Sequence, residues 1–292
     1  MPSARRTVTM EQMSSLSTDL LVVGAGPAGA SAAAWAARHG IDVVLADAAE
    51  FPRDKACGDG LTPRAIAELD RLGMTSFLHG RVRNWGLRTS GFGQTLFLPW
   101  PGGAFPSYGS AVPRTILDNA IRDVALDAGA TPLSEHRAID VRRSGERVTG
   151  IVFGTPAGTR EVSCRRLVVA DGARSQLGRH LGRQWHKQTA YGVAARSYAK
   201  SERSDDPWIT SHLELRDADG QILSGYGWVF PLGDGEVNIG VGTLATDDRP
   251  ADVNLRNLMS LYAEQQRDEW RLHGTIRAAK SALLPMGGAV SG

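Results

Sequence analysis

DLLVVGAGPAGASAAAWAARHGIDVVLAD, residues 19–47, is the stretch from which the fold can be read. DLLVVG is a short, apolar, β-branched run ending in glycine, which reads as a buried parallel strand. ASAAAWAARHG then reads as an alanine-rich helix closed by Gly40. IDVVLAD (41–47) is a second buried strand. Strand, glycine turn, helix and strand in close succession make one βαβ unit with a right-handed crossover. At its centre, Gly24-Ala25-Gly26-Pro27-Ala28-Gly29 is G-x-G-x-x-G, following a strand and opening a helix. Gly24 permits the tight turn, Gly26 lets backbone approach a pyrophosphate, and Gly29 allows close helix–strand packing. The helix N-terminus offers free N–H groups and partial positive charge to that anion. Asp47 closes the second strand at the distance, roughly 20 residues, expected of a carboxylate that binds ribose. The pattern predicts a dinucleotide site, and by itself serves FAD and NAD equally.

Outward from this unit, FPRDKACGDGL (51–61) has neither a strand nor a helix period and reads as loop. A helix opens with Thr62 as N-cap and Pro63 at its first position and stops at Gly73. Residues 81–108, rich in glycine, proline and aromatics, read as short strands and turns. Pro113 opens a helix with Ile116, Leu117, Ala120, Ile121 and Val124 on one face, ended by Gly129. RAIDVRR, VTGIVF, REVS and RLVVA then read as four strands between 137 and 170. Residues 190–247 alternate aromatics and aliphatics around turns at DADG and LGDGE, which predicts a mixed or antiparallel sheet. An amphipathic helix is predicted over about 253–271.

The fold class is therefore α/β with a sheet-rich α+β second domain inserted into a Rossmann-like one. Residues 1–18 read as a disordered polar extension. The dinucleotide domain takes 19–80 and 109–183, the substrate domain takes 81–108 and 184–282, and 283–292 return to the first.

Composition narrows the function classes. The 292 residues are 42% apolar and 22% charged, with a net charge of +2, the balance of an ordinary globular protein with no basic surplus for nucleic acid. Two cysteines, Cys57 and Cys164, are too few for a disulfide scaffold, and Cys164, within a strand, reads as packing. No run approaches the roughly 18 apolar residues of a spanning helix, and the first 18 residues lack the apolar core of a secretory signal. The histidines show no ligand spacing, so no metal site is predicted. The 34 glycines are an excess, of the kind needed where backbone turns tightly or approaches a ligand.

Two segments separate FAD from NAD. RRLVVADGARSQLGR (165–179) ends a strand on Asp171-Gly172 and resembles the second fingerprint of flavoprotein hydroxylases and their relatives. Arg114, in VPRTILDNAI, resembles the arginine those proteins place near the flavin. Three further runs narrow the resemblance. FPRDKACGDGLTPRA (51–65) resembles the C-G-[DE]-G loop of the geranylgeranyl reductase family, and SGYGWVFPLGDGEVNIGVG (224–242) its Y-x-W-x-F-P motif. LLPMGG (283–288) is also similar. Leu223 stands where that family often has proline. CGDGLTPRA, FPSYGSAVPRT and DDPWITSHLELR are most similar to the actinobacterial branch, whose members saturate one double bond in the isoprenoid tail of menaquinone.

The resemblance implies an FAD-binding domain of the hydroxylase or glutathione-reductase type. It implies cofactor contacts from Gly24, Gly26, Pro27, Ala28, Gly29 and Asp47. Further cofactor contacts are implied for Cys57, Gly58, Asp59, Gly60, Arg114, Ala138, Asp171 and Gly172. Tyr226, Trp228 and Phe230 alternate along a strand, put their side chains on one face, and are expected to meet the prenyl substrate. Cys57, Tyr226 and Trp228 are the candidate catalytic residues, with Cys57 gating the site or supplying a proton. Trp85, Phe92, Phe97 and Trp100 are expected to extend the apolar wall. Expected partners are a lipid-soluble prenylated substrate and, as electron donor, reduced nicotinamide or a redox protein. Contact with the membrane is expected to be peripheral, from the cytoplasm, at the inner face of the cell membrane. The family continues beyond P-M-G-G into a glycine–aspartate flavin motif and covering helices, so the sequence resembles the N-terminal part of such an enzyme. An aromatic monooxygenase on the same fold and an inactive truncated fragment are the alternatives.

Overall fold

The computed structural model describes residues 16–184, 190–246, 248–277 and 279–285. The chain begins with β1 (Leu16–Val23), α1 (Pro27–Arg38) and β2 (Val43–Ala46). It continues through β3 (Gly60–Leu61), α2 (Pro63–Arg71), α3 (Thr75–His79), β4 (Arg83–Asn84), β5 (Gly86–Gly91) and β6 (Gln94–Pro99). Then come β7 (Gly109–Ala111), α4 (Arg114–Asp127), β8 (Thr131–Leu133), β9 (Arg137–Ser144) and β10 (Arg147–Thr155). They are followed by β11 (Gly158–Val169), α5 (Gln176–His180), β12 (Tyr191–Ser201) and β13 (Trp208–His212). The last elements are β14 (Gly225–Gly233), β15 (Glu236–Ala245), α6 (Leu255–Gln265), β16 (Leu272–His273) and β17 (Lys280–Pro285). Among the described residues, no helix is long and apolar enough to cross a membrane.

Two compact units emerge. One holds the described residues up to Phe51 together with Ile121–Gln184. Its six-stranded sheet runs β8-β2-β1-β11-β10-β9. β1 lies parallel to both β2 (Leu21 opposite Val44) and β11 (Leu21 opposite Leu167), and β10 and β9 extend the sheet antiparallel. Leu21, Val44, Ile151, Phe153, Val162 and Cys164 form its core, so Cys164 is a packing residue. The first strand starts at Leu16, where the sequence reading starts it at Asp19 and counts 16–18 in the polar extension. Leu16, Ser17 and Thr18 extend the parallel pairing with β11. REVS and RLVVA, read as two strands, are one continuous β11, since Cys164-Arg165, the only residues between them, include no turn former and each half has a partner.

The other unit holds Pro52–Ala120 and the described residues after Gln184. Here 52–80 and 109–120 cluster with the eight-stranded sheet, whereas the sequence pattern assigns them to the dinucleotide domain. An eight-stranded sheet runs β16-β12-β15-β14-β13-β5-β6 with β17 also on β12, and β3, β7 and β4 form a small sheet. Val229, Ile239, Val241, Tyr262 and Trp270 pack as the core beneath α6. Thr62 caps α2 by accepting from Ala65 N–H, and Gly73 leaves it at φ +78°. The predicted helix over 253–271 ends at Gln265, and the residues beyond it turn to bury Trp270. Every residue of β6 is exposed.

Candidate functional site

In the first unit the glycine turn joins β1 to α1. Gly24 takes φ +101°, and a Cβ there would lie 2.3 Å from the Ala170 carbonyl oxygen. A Cβ on Gly29 would lie 1.8 Å from the Gly24 carbonyl oxygen. Both positions therefore admit only glycine. Gly26 is the N-cap of α1 with no side-chain cap, and Pro27 follows at the first turn. The exposed end of the helix is thus left to whatever anion it meets.

Asp47 holds this turn in place. Its Oδ2 accepts from Ala25 N–H at 2.8 Å and its Oδ1 from Ala49 N–H at 2.9 Å. Asp171 stands just past the end of β11. Its Oδ2 accepts from Leu177 N–H at 3.0 Å, and its buried Oδ1 has no partner among the described residues. Gly172 follows at φ +87°. Because Ala170 abuts Gly24, the structure brings the glycine turn, Asp47 and Asp171-Gly172 together. Ala138 lies on β9 and packs at the rim of this unit's core. A turn that only glycine fits, an uncapped helix end and a carboxylate at the second strand fit the pyrophosphate and ribose of FAD.

In the second unit, a cavity of about 410 Å³ is lined by Cys57, Gly58, Gly60, Tyr226, Trp228 and Phe230, among others. The three aromatic rings form a row along β14, with centroids 5.8 Å apart from Tyr226 to Trp228 and 6.3 Å from Trp228 to Phe230. The loop approaches this row closely because it is glycine. A Cβ on Gly58 would come within 2.9 Å of the Phe230 ring, and one on Gly60 within 3.1 Å. On the neighbouring strand, a Cβ on Gly240 would lie 2.1 Å from the Trp228 indole.

Polar groups are few. Arg196 lines the cavity and is engaged by the Asp54 carboxylate and the Lys55 carbonyl. The buried Thr243 hydroxyl has no partner among the described residues. Cys57 Sγ accepts from Asp59 N–H at 3.4 Å. Arg114 lies beside the thiol, but its guanidinium is engaged with Asp118, whose side chain is fully buried and also accepts from Arg53 at 3.1 Å. Burial alone would lower the Arg114 pKa, yet the hydrogen bond and charge of Asp118, with a contribution from Cys57, raise it. Burial pushes Asp59 up from 3.8 to about 6, against hydrogen bonds from Asn238 and Tyr198.

Trp85, Phe92, Phe97 and Trp100 do not line this cavity. Phe92 sits exposed at the β5–β6 turn, Phe97 packs edge-on against Trp208, and Trp85 against Tyr108. Trp100 donates to Asn84. For Phe97 the edge position of β6 explains the correction, while Trp85, Phe92 and Trp100 lie outside the strands, in the connections that flank β5 and β6. Sequence reasoning also misses Asn238, Tyr198 and Arg196, which tie the loop to the sheet. The run NIGVG carries the only local signal of this region, as glycines that make room for Trp228. Met286, Gly287 and Gly288 of LLPMGG fall outside the described residues.

A family profile described as "FAD binding domain" matches residues 17–232. The chain belongs to the FAD-binding family. FAD is its cofactor. Among the similar proteins of this family, the menaquinone reductase of Mycolicibacterium smegmatis is 62% identical over 94% of this chain and 66% of its own length. The menaquinone reductase of Mycobacterium tuberculosis is 60% identical over 94% of this chain and 67% of its own length. The chain thus spans about two thirds of the length of these relatives. A geranylgeranyl bacteriochlorophyll reductase-like protein from Thermoplasma acidophilum superposes with a TM-score of 0.77 at 21% identity, covering 92% of this chain and 66% of that one. At that identity the likeness speaks for the fold.

Proposed function

We propose that this FAD-binding chain acts as a reductase that saturates an isoprenoid C=C bond, one prenyl unit of the menaquinone tail. The observation that carries the reading is the aromatic-walled cavity beside the Cys57 loop, which suits an apolar chain better than a polar substrate. The names of the 60–62% identical relatives support it.

When bound and reduced, FAD supplies the hydride for one alkene carbon. The chain's own residues do the rest. Tyr226, Trp228 and Phe230 confine the prenyl unit and exclude water from it. Their π faces favour the positive charge that develops on the tertiary carbon. Gly58 and Gly60 let the loop lie against that row without a side chain intervening. Cys57 holds a proton at Sγ on the cavity wall, where the second alkene carbon can take it. The reducing equivalents come from reduced nicotinamide or a redox protein, and the substrate is met by peripheral contact at the inner face of the cell membrane.

Anaerobic incubation of the FAD-loaded chain with dithionite and menaquinone tests this by mass spectrometry. The expected product is heavier by one H₂, located in the tail. Unchanged menaquinone despite reduced, bound flavin overturns the reading, and an oxygen-dependent hydroxylated aromatic product replaces it with a monooxygenase.

A further inference from the structure

Cys57, Gly58 and Gly60 line the cavity, while Asp59 turns away from it. Its residue exposure is 1%, and its backbone sits at φ +64°. An L-residue holds that left-handed conformation only where its surroundings fix it. The Asp59 carbonyl accepts from Val112 N–H at 2.9 Å, and its side chain adds a second anchor through one carboxylate oxygen. Asp59 Oδ2 accepts from Tyr198 Oη at 2.7 Å and from Asn238 Nδ2 at 2.8 Å. Tyr198 on β12 and Asn238 on β15 stand directly opposite one another in the sheet. The same Asn238 amide donates to the Cys57 carbonyl at 2.9 Å, and Asn238 Oδ1 accepts from Trp228 Nε1 at 2.9 Å. Asp59 N–H in turn points at Cys57 Sγ. The other oxygen, Oδ1, is buried without a partner among the described residues.

We propose that Asp59 is a positioning residue for Cys57. Its side chain clamps the loop to β12 and β15, and the clamp keeps the thiol turned toward the cavity. The inference rests on the reading above for what Cys57 does there. The clamp itself is a statement about loop geometry. Because both donors fall on one oxygen, an asparagine can present its carbonyl oxygen to them and also tolerates the left-handed backbone. Glycine accepts the backbone equally well and offers no acceptor. The two substitutions therefore separate the clamp from the conformation.

The experiment is iodoacetamide alkylation of the purified chain, with the two cysteines quantified separately by peptide mass spectrometry. Cys164, buried in the core of the other unit, reports unfolding of that unit, and a thermal melt of each variant reports unfolding of the unit that holds Cys57. In Asp59→Gly, Cys57 is expected to alkylate about tenfold faster or more, as follows from losing two hydrogen bonds to a charged group. Asp59→Asn should restore the rate to within about twofold of the unsubstituted chain, since one oxygen can accept both bonds. Tyr198→Phe, which removes one donor and keeps the ring, should fall between. Cys164 should not respond in any of them. Wild-type Cys57 alkylation in both Asp59→Gly and Tyr198→Phe overturns the proposal, as does acceleration of both cysteines together. Neither menaquinone nor flavin enters the assay, so failure of the proposed reductase activity and failure of the clamp are read separately.

Discussion

The indole nitrogen of Trp228 donates to Oδ1 of Asn238 at 2.9 Å, with both side chains buried on neighbouring strands. Asn238 is also what holds the Cys57 carbonyl, so the aromatic row and the loop beside it form one hydrogen-bonded body. Disturbing either side should be felt at the other.

Gly240→Ala is the sharpest disturbance. Its Cβ would sit 2.1 Å from the Trp228 indole, so either the indole or the strand must shift. The cost should be about 1–3 kcal/mol, the range for overpacking a filled core. The urea midpoint measures it, and an unchanged midpoint would mean that Trp228 is free to move.

Gly29→Ala should act on the cofactor as well as on stability. The new methyl would lie 1.8 Å from the Gly24 carbonyl oxygen, forcing the turn away from α1. FAD affinity, followed by flavin fluorescence, should fall about tenfold or more, because the anion site is built from that backbone. Gly40→Ala, at φ +76° in open space, is the control that should leave FAD binding alone at a cost of about 1 kcal/mol.

Arg114→Met would leave the fully buried Asp118 carboxylate with Arg53 as its remaining guanidinium partner. Breaking such a buried pair costs about 3–5 kcal/mol. Denaturant unfolding should show that loss, and Arg114→Lys should recover only part of it, since an ammonium cannot reproduce the two-point grip.

Two buried groups give opposite pH dependences over nearly the same window. Asp59 titrates at about 6 in the folded chain instead of 3.8, so the folded state keeps a proton that the unfolded state has shed. Its contribution therefore falls as pH rises between those values. His212, packed against Tyr262, is pushed by burial down to about 4 from 6.5, against the charge of Glu269, so the unfolded state binds the extra proton. Its contribution rises with pH over that window. Each spans on the order of 3 kcal/mol, and the two nearly cancel between about pH 4 and 6. Asp59→Asn should expose the histidine slope, with stability climbing as pH rises, and His212→Gln the reverse. Parallel urea titrations at several pH values decide it, and two flat profiles would contradict both assignments.

Tyr226 is 42% exposed, with its ring 5.8 Å from that of Trp228. Tyr226→Ala should cost no more than about 1 kcal/mol of stability, since it breaks one aromatic pair at a half-open site. On the proposed reading it should raise the KM for menaquinone severalfold. A Tm drop without a change in KM would place Tyr226 outside the substrate path.

Much of the first unit is legible in the sequence because its determinants are local. Gly24 and Gly29 announce a turn, and the LLVV and VVLA runs can only be buried; in the second unit Thr62 with Pro63 starts a helix just as locally. The Cys57 loop and the Tyr226 row are legible as separate motifs, but the connection between them is not. It depends on Tyr198 facing Asn238 across β12 and β15, a register that no short window contains. Phe97 shows the opposite error. Its run, TLFLP, alternates like a wall strand, yet it forms a sheet edge, and composition alone does not distinguish an edge from a centre. The helix over Leu255–Gln265 is read too long because Trp270 continues the apolar spacing past the point where the backbone leaves the helix.

The pairing of β1 with β11 sets a delay during synthesis. Leu21 finds Val44 soon after it is made, but its other neighbour is Leu167. At about 5–20 residues per second, a nascent chain waits on the order of ten seconds with one flank of β1 open. That flank is the apolar run Leu20–Val23, a site of the kind chaperones bind. Ribosome-bound chains stalled before β11 should recruit such factors, and chains stalled after Gln184 should release them, because by then the sheet has closed around its oldest strand.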